Sequence, residues 1–463
     1  MGGRDPQMPA ATIPSAAIAE MSLSGRYLVL VCAFLGWFFA GTQMSITSLA
    51  MRPAAVDLLS ATGRIDRALV TLKVVEQKKL TGSQAALLKQ QNGIVGRWTA
   101  WYTCAFLFGA AAGGWVFGRV GDRFGRAKGM GLSILCFTAL SAVAYFARTP
   151  EELLLLRFFA CFGVGGMWPN GVALAAEAWS NVSRPMLAGI IGASANVGIV
   201  LMALMAVFVK ITPDDWRWLM LLVSTPIVLA FFSLLAVPES PRWLAAQLLR
   251  NGGGATATNA VQSHIFRPPL LKITLIGIAL GTVPILGGWG SANWAIPWAD
   301  KVGSVDDPFL KAQVLLARSF PGTVSSFLGG WVASHFGRKR SYFLISLSAL
   351  ATAQTMFWFF TPADGNIFLA LTALLGFFSG IYFGWLPLCL PEFFPTSVRS
   401  TGAGVSFNFG RVLTAFAVLG AGGLLHYFNE DYAQVGRITS LIFAVGVFII
   451  WLAPDTDQTR IDD

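Results

Sequence analysis

Apolar and polar residues come in blocks along this chain. Twelve apolar runs of about 20 residues lie near 26–50, 96–118, 128–147, 152–177, 185–210, 215–237, 272–298, 309–333, 341–360, 367–390, 400–425 and 434–453. A helix of about 20 residues rises ~30 Å, the thickness of a bilayer's hydrocarbon core. The pattern predicts an all-α integral membrane protein with twelve transmembrane helices. An even count puts both termini on one side. The long polar interval 51–95 is expected as an external loop that forms a short amphipathic helix or lid. Residues 1–22 carry no cleavable-signal pattern, and the first run is long enough to be a true span.

Composition sharpens the class. Of 463 residues, 55% are hydrophobic and 12% charged, too few charges to clothe a soluble protein of this length. The net charge of +10 raises the question of nucleic acid. Its distribution answers against that, because Lys and Arg gather in short loops at 119–128 and 338–340. Such clusters mark cytoplasmic loops. The expected location is a cytoplasmic (inner) cell membrane, with both termini cytoplasmic. The basic interval 51–95 runs against this orientation, although long loops obey the rule less strictly. Cys32, Cys104, Cys136, Cys161 and Cys389 all lie in apolar runs without ligand spacing, and His264, His335 and His426 are scattered. No metal, cofactor or catalytic cluster is expected, and the chain is not read as an enzyme.

One polar motif occurs twice. Gly118-Arg-Val-Gly-Asp122-Arg123-Phe-Gly125-Arg126 recurs 212 residues later as Gly330-Trp-Val-Ala-Ser-His-Phe-Gly337-Arg338. Glu177 and Arg184 are followed, 215 residues on, by Glu392 and Arg399. Pro238-Glu-Ser closes the sixth run as Pro454-Asp-Thr closes the twelfth. The pattern implies duplication: a six-helix bundle over 1–237, a cytoplasmic linker over 238–271 and a second bundle over 272–463. Asn251-Gly252-Gly253-Gly254 lacks a following Lys-Ser or Lys-Thr, so it reads as a flexible linker and not a phosphate loop.

The Gly-x-x-x-Asp-Arg-x-Gly-Arg stretch at 118–126 resembles the signature of major facilitator superfamily transporters. Pro238-Glu-Ser-Pro-Arg-Trp-Leu244 is similar to sugar porters and organic ion transporters. Arg157-Phe158 with Gly163-Val-Gly-Gly-Met-Trp168-Pro-Asn170 is similar to aromatic acid symporters. Pro391-Glu392-Phe-Phe-Pro-Thr-Ser-Val-Arg399, with Phe407-Asn408-Phe-Gly-Arg411, resembles sialic acid and aromatic acid symporters. The resemblance implies the major facilitator fold, two pseudo-symmetric bundles that alternate access to a central site. It also carries a departure. Those symporters have Asp-Gly-x-Asp in the first helix, whereas Phe39-Ala-Gly-Thr42-Gln43 has no carboxylate here. Proton coupling through that helix is therefore unavailable, and coupling elsewhere or none at all both stay open.

The polar residues then sort into candidates. Gly118, Asp122, Arg123, Gly125 and Arg126 can latch the two bundles, with Gly330, Gly337 and Arg338 as a weaker second copy. Glu177–Arg184 and Glu392–Arg399 are candidate gating pairs, or merely solvated loop pairs. No Asp or Glu lies near the middle of a run, yet two arginines do lie inside. Arg411 is near the midplane, ~18 Å beyond Arg399. A buried cation usually faces a cavity or partner. It suits a substrate carboxylate, or it is held structurally by carbonyls or Asn408. Arg157 is expected to have a coupling or structural role. Pseudo-symmetry sets Asn196 against Arg411. Mixed polar and aromatic positions, namely Gln43, Trp168, Asn170, Trp289, Asn293, Tyr382 and Trp385, are candidate substrate contacts. The expected substrate is a small organic anion, a carboxylate. Two other readings stand beside it: a carrier for a sugar or another neutral polar solute, and a non-transporting receptor. The expected partners are that small molecule, the bilayer and, where transport is coupled, protons, with the chain acting as a monomer.

Overall fold

The computed structural model describes residues 21–72, 80–179, 184–209, 211–251, 264–288, 294–296, 298–299, 310–428 and 431–456. Its helices in chain order are α1 (Leu23–Leu49), α2 (Met51–Ala61), α3 (Arg67–Val70), α4 (Gly82–Phe124), α5 (Arg126–Ala144), α6 (Pro150–Ala178), α7 (Arg184–Phe208), α8 (Trp218–Leu222) and α9 (Ile227–Ala236). They continue with α10 (Pro241–Asn251), α11 (Leu270–Leu286), α12 (Leu310–Phe336), α13 (Arg338–Phe359), α14 (Asn366–Cys389), α15 (Arg399–Asn408), α16 (Gly410–Tyr427), α17 (Tyr432–Thr439) and α18 (Ile442–Ile449). Ten described segments are long and apolar enough to cross a membrane. α11 and α12 stand where the seventh and eighth spans were expected. The fold is the all-α, twelve-span architecture read from the apolar runs. Large apolar side chains such as Phe208, Leu235, Phe359 and Phe448 are exposed around it, as lipid contact requires.

Several spans are not single helices. The sixth is α8 joined to α9 through Val223–Pro226, where proline has no N–H to donate. The eleventh is α15 and α16, parted at Phe409, and the twelfth is α17 and α18. α11 ends at Leu286; Trp289 and Asn293 lie outside the described residues. The Gly252–Gly254 run of the expected linker lies outside them too.

The interval 51–95 departs from the expected loop. α2 and α3 fill its first part, and α4 begins at Gly82, well before the apolar run. The reason is local: Thr81 and Gln84 form a capping box, and Gln, Ala, Leu and Lys then favour helix. Its basic residues are also partly answered. Arg64 pairs with Glu151 at 2.6 Å and Arg67 with Asp214, while Asp57 accepts from Arg217 and from Trp216 Nε1. These pairs tie the layer to the starts of α6 and α8, at the end of the molecule opposite the 118–128 turn.

Packing follows the glycines. α4 runs along α6, and α12 along α14, in two equivalent seams. A Cβ at Gly113 would strike the Phe162 carbonyl, and one at Gly376 the Arg318 carbonyl. Small residues let membrane helices approach to backbone contact. α4 also meets α15 and α16, while α7 meets α12 and α14. Gly118 and Gly330 sit at these two crossings. Their Cβ positions are occupied by Thr401 and Ser400 backbone, and by Pro185 backbone. Gly125 (φ +118°) and Gly337 (φ +87°) are one-residue turns between consecutive helices, a conformation other residues adopt at a cost.

Candidate functional site

Two polar assemblies stand out. The first lies where α4 ends. The Asp122 carboxylate accepts from the backbone N–H groups of Ser400 (3.1 Å) and Thr401 (2.9 Å), and from the Thr401 hydroxyl. Those amides open α15, so the carboxylate sits at the positive end of that helix. Arg126 donates to Asp122, to the Gly121 carbonyl at 2.9 Å and to the Thr396 carbonyl. It also reaches Glu177 at 3.4 Å. Glu177, fully buried, receives Arg399 at 2.7 Å and the Ser240 hydroxyl. Glu239 accepts from the amides of Arg126 (2.7 Å) and Ala127 (3.1 Å). Burial is the largest influence on Glu239 and raises its carboxyl above the ordinary range. The Ser240, Ala127 and Arg126 amides and the Arg126 charge pull the other way. The assembly joins elements from both sides of the sequence and closes this end of the molecule.

The spacing-based pairs are corrected here. Glu177 meets Arg126 and Arg399, and it is buried rather than solvated. The Arg184 side chain lies outside the described set. Glu392 pairs with Arg338 at 3.3 Å, not with Arg399. On the loop between them Glu392 and Arg399 face different neighbours, and each described carboxylate takes the guanidinium that packing delivers. Arg123 does not enter the cluster through its side chain, which stacks on Phe124; its carbonyl accepts from Gln247. Trp243 Nε1 adds a 2.8 Å bond to the Asp122 carbonyl.

The second assembly is deeper. Arg411, near the start of α16, is 5% exposed. Its guanidinium carbon lies 5.2 Å from the Phe106 ring centre and 5.6 Å from that of Phe407. Its Nε is buried without a hydrogen-bond partner, and no carboxylate pairs with it among the described residues. Arg157 is 2% exposed and lies 5.9 Å from the same Phe106 ring. One of its nitrogens donates to the Gln43 carbonyl (3.2 Å) and the Thr47 hydroxyl (2.6 Å). Its Nε and Nη1 have no partner. Phe407 stacks on Trp168 at 4.1 Å and meets Trp37 edge-on at 6.1 Å. Along α6, Trp168 stands between Arg157 and Glu177, and along α15 and α16 Phe407 stands between Thr401 and Arg411.

Other candidates are placed elsewhere. Asn408 donates to the carbonyls of Gly165 and Gly404, so it joins α15 to α6 and is not an Arg411 partner. Asn196 donates to Ser326 at 2.9 Å, across the α7–α12 crossing. Asn170 bonds the Phe117 and Gly166 carbonyls and wedges against Gly121 and Gly129, beside the turn and away from Arg411. Gln43 donates to Ser141 at 2.9 Å, and its Oε1 is buried without a partner. Tyr382 bonds Ser346, and Trp385 bonds the Arg338 carbonyl, both in a buried cluster around Tyr342. Ser240 and Thr401 lie in motifs whose chemistry the sequence did not reveal. Phe106 carries no sequence signal among 36 phenylalanines.

The geometry can now be set beside known proteins. A "probable 4-methylmuconolactone transporter" of Cupriavidus pinatubonensis is 28% identical over 388 residues, covering 81% of this chain and 85% of its own. A "cis,cis-muconate transport protein" of Acinetobacter baylyi is 27% identical, covering 67% and 74%. The structure of the proton:xylose symporter XylE, with 6-bromo-6-deoxy-D-glucose bound, aligns at a TM-score of 0.68 and 19% identity over 95% of this chain and 98% of its own, a likeness of fold. Residues 77–419 match the family model of the Major Facilitator Superfamily. This chain is therefore a multi-pass membrane transporter that belongs to the Major Facilitator Superfamily.

Proposed function

We propose that the protein moves a small organic anion, a carboxylate, across the membrane by alternating access, with Arg411 as the substrate's cationic ligand. The carrying observation is Arg411 itself: buried, roofed by two rings, and lacking a carboxylate partner among the described residues. An isolated buried guanidinium is costly, and a carboxylate that offers a two-pronged acceptor repays that cost on binding. The two relatives named above are transporters whose names specify anionic metabolites, which supports the reading.

In this reading the Asp122 assembly is the latch of the cytoplasmic end, and the basic turns at 119–128 and 338–340 support an orientation with both termini in the cytoplasm. The two bundles, divided at 238–271, rock as units in a monomer of the cell's inner membrane. Coupling to protons does not run through the first helix, whose Gln43 holds the place of a carboxylate.

Uptake of radiolabelled carboxylates into proteoliposomes tests the reading. Arg411→Ala is expected to abolish saturable uptake and binding. Unchanged carboxylate binding in that variant, or binding of neutral sugars alone, would sink the assignment.

A further inference from the structure

Arg157 and Arg411 come from opposite halves of the sequence, yet their guanidinium carbons lie 5.9 Å and 5.2 Å from one ring, Phe106. They are thus no further apart than the sum of those distances. Cys161, one turn after Arg157 on α6, lies on the same side of that helix. Each cation is at least nine-tenths buried; Nε and Nη1 of Arg157 and Nε of Arg411 have no hydrogen-bond partner. Among the described residues neither has a counter-ion. A monocarboxylate at Arg411 would leave the Arg157 charge uncompensated. Gln43, Thr47 and Cys161 around it are neutral, so no fixed group neutralises it there.

We propose that Arg157 and Arg411 together form a dianion site. One carboxylate of a short dicarboxylate pairs with Arg411 of α16 and the other with Arg157 of α6, and the ligand's apolar middle lies along Phe106. This rests on the anion reading above and narrows its substrate class. It also gives the ligand a mechanical role. A dianion bridges the two bundles, because one cation belongs to each. The contacting rings of Trp168, Phe407 and Trp37 lie on the latch side of the two cations, so the bridge forms above an aromatic cluster. A buried charge left without its partner weakens binding by at least about tenfold.

Purified protein in detergent is titrated calorimetrically with succinate, glutarate and adipate and with the monomethyl ester of each. The wild type is expected to bind at least one diacid ten or more times tighter than its own monoester. Arg157→Gln is expected to erase that preference while keeping the monoester affinity, which also shows that the variant is folded. Arg157→Lys, which keeps the charge, should retain most of the preference. Arg411→Gln should weaken both ligands. Equal affinity for diacid and monoester in the wild type, or a preference that survives Arg157→Gln, overturns the dianion site and leaves the anion reading standing. If no carboxylate binds but xylose or glucose does, the anion reading itself falls, and the dianion site with it.

Discussion

Glu177 shows what a single residue's neighbours decide. Its carboxylate holds two arginines, Arg126 and Arg399, that are themselves buried. Removing its charge takes the carboxylate from Arg399 and leaves Arg126 to Asp122, and losing one partner of a buried pair costs about 3–5 kcal/mol. Glu177→Gln is therefore expected to lower the thermal unfolding midpoint in detergent markedly; an unchanged midpoint would mean that the cluster carries no net stability. Glu239 supplies a pH test. Burial raises its carboxyl above the ordinary 4.5, so the folded protein holds that proton more tightly than the unfolded chain. Its contribution is most favourable at low pH and is lost as pH rises from about 4.5 through the raised value. Glu239→Gln should flatten that part of the stability–pH curve, as measured by thermal melts across the acidic range. A curve of unchanged slope would place the titration in another group.

At the scale of elements, the helices obey the apolar runs, but their ends and crossings obey particular residues. α4 extends outward because Thr81 and Gln84 cap it, not because the membrane requires length. Gly118 and Gly330 set how closely α4 approaches α15 and α12 approaches α7. Leucine at either position has no room, whereas Gly96 faces open space. Gly118→Leu and Gly330→Leu are expected to push these crossings apart and slow uptake at least tenfold; Gly96→Leu should leave it within twofold. Spin labels at the ends of α4 and α12 would report the separation, and an unaltered distance in Gly118→Leu would remove the close approach from the mechanism.

For the whole molecule, the latch proposed for the Asp122 assembly is a difference between two states, so its worth is a population. Asp122 gives hydrogen-bond acceptors to α15 in this closed arrangement, and separating the bundles breaks those bonds. Asp122→Asn should shift the equilibrium toward the open end by about 1–3 kcal/mol, roughly five- to 150-fold. The same pair of spin labels would show a longer distance gaining population. The sequence by itself determined the class and the twelve spans, because apolar run length is local and additive. It also singled out Arg411, since a cation inside an apolar run is conspicuous without any coordinates. It could not pair Glu177 with Arg399 or bring Arg157 beside Arg411. Those contacts join residues more than 200 positions apart, and which guanidinium reaches which carboxylate depends on how helices rotate and cross. The pattern of apolar runs repeats that information nowhere. Only the packed structure decided that Glu177 meets Arg399, while two cations without a carboxylate among the described residues share a ring.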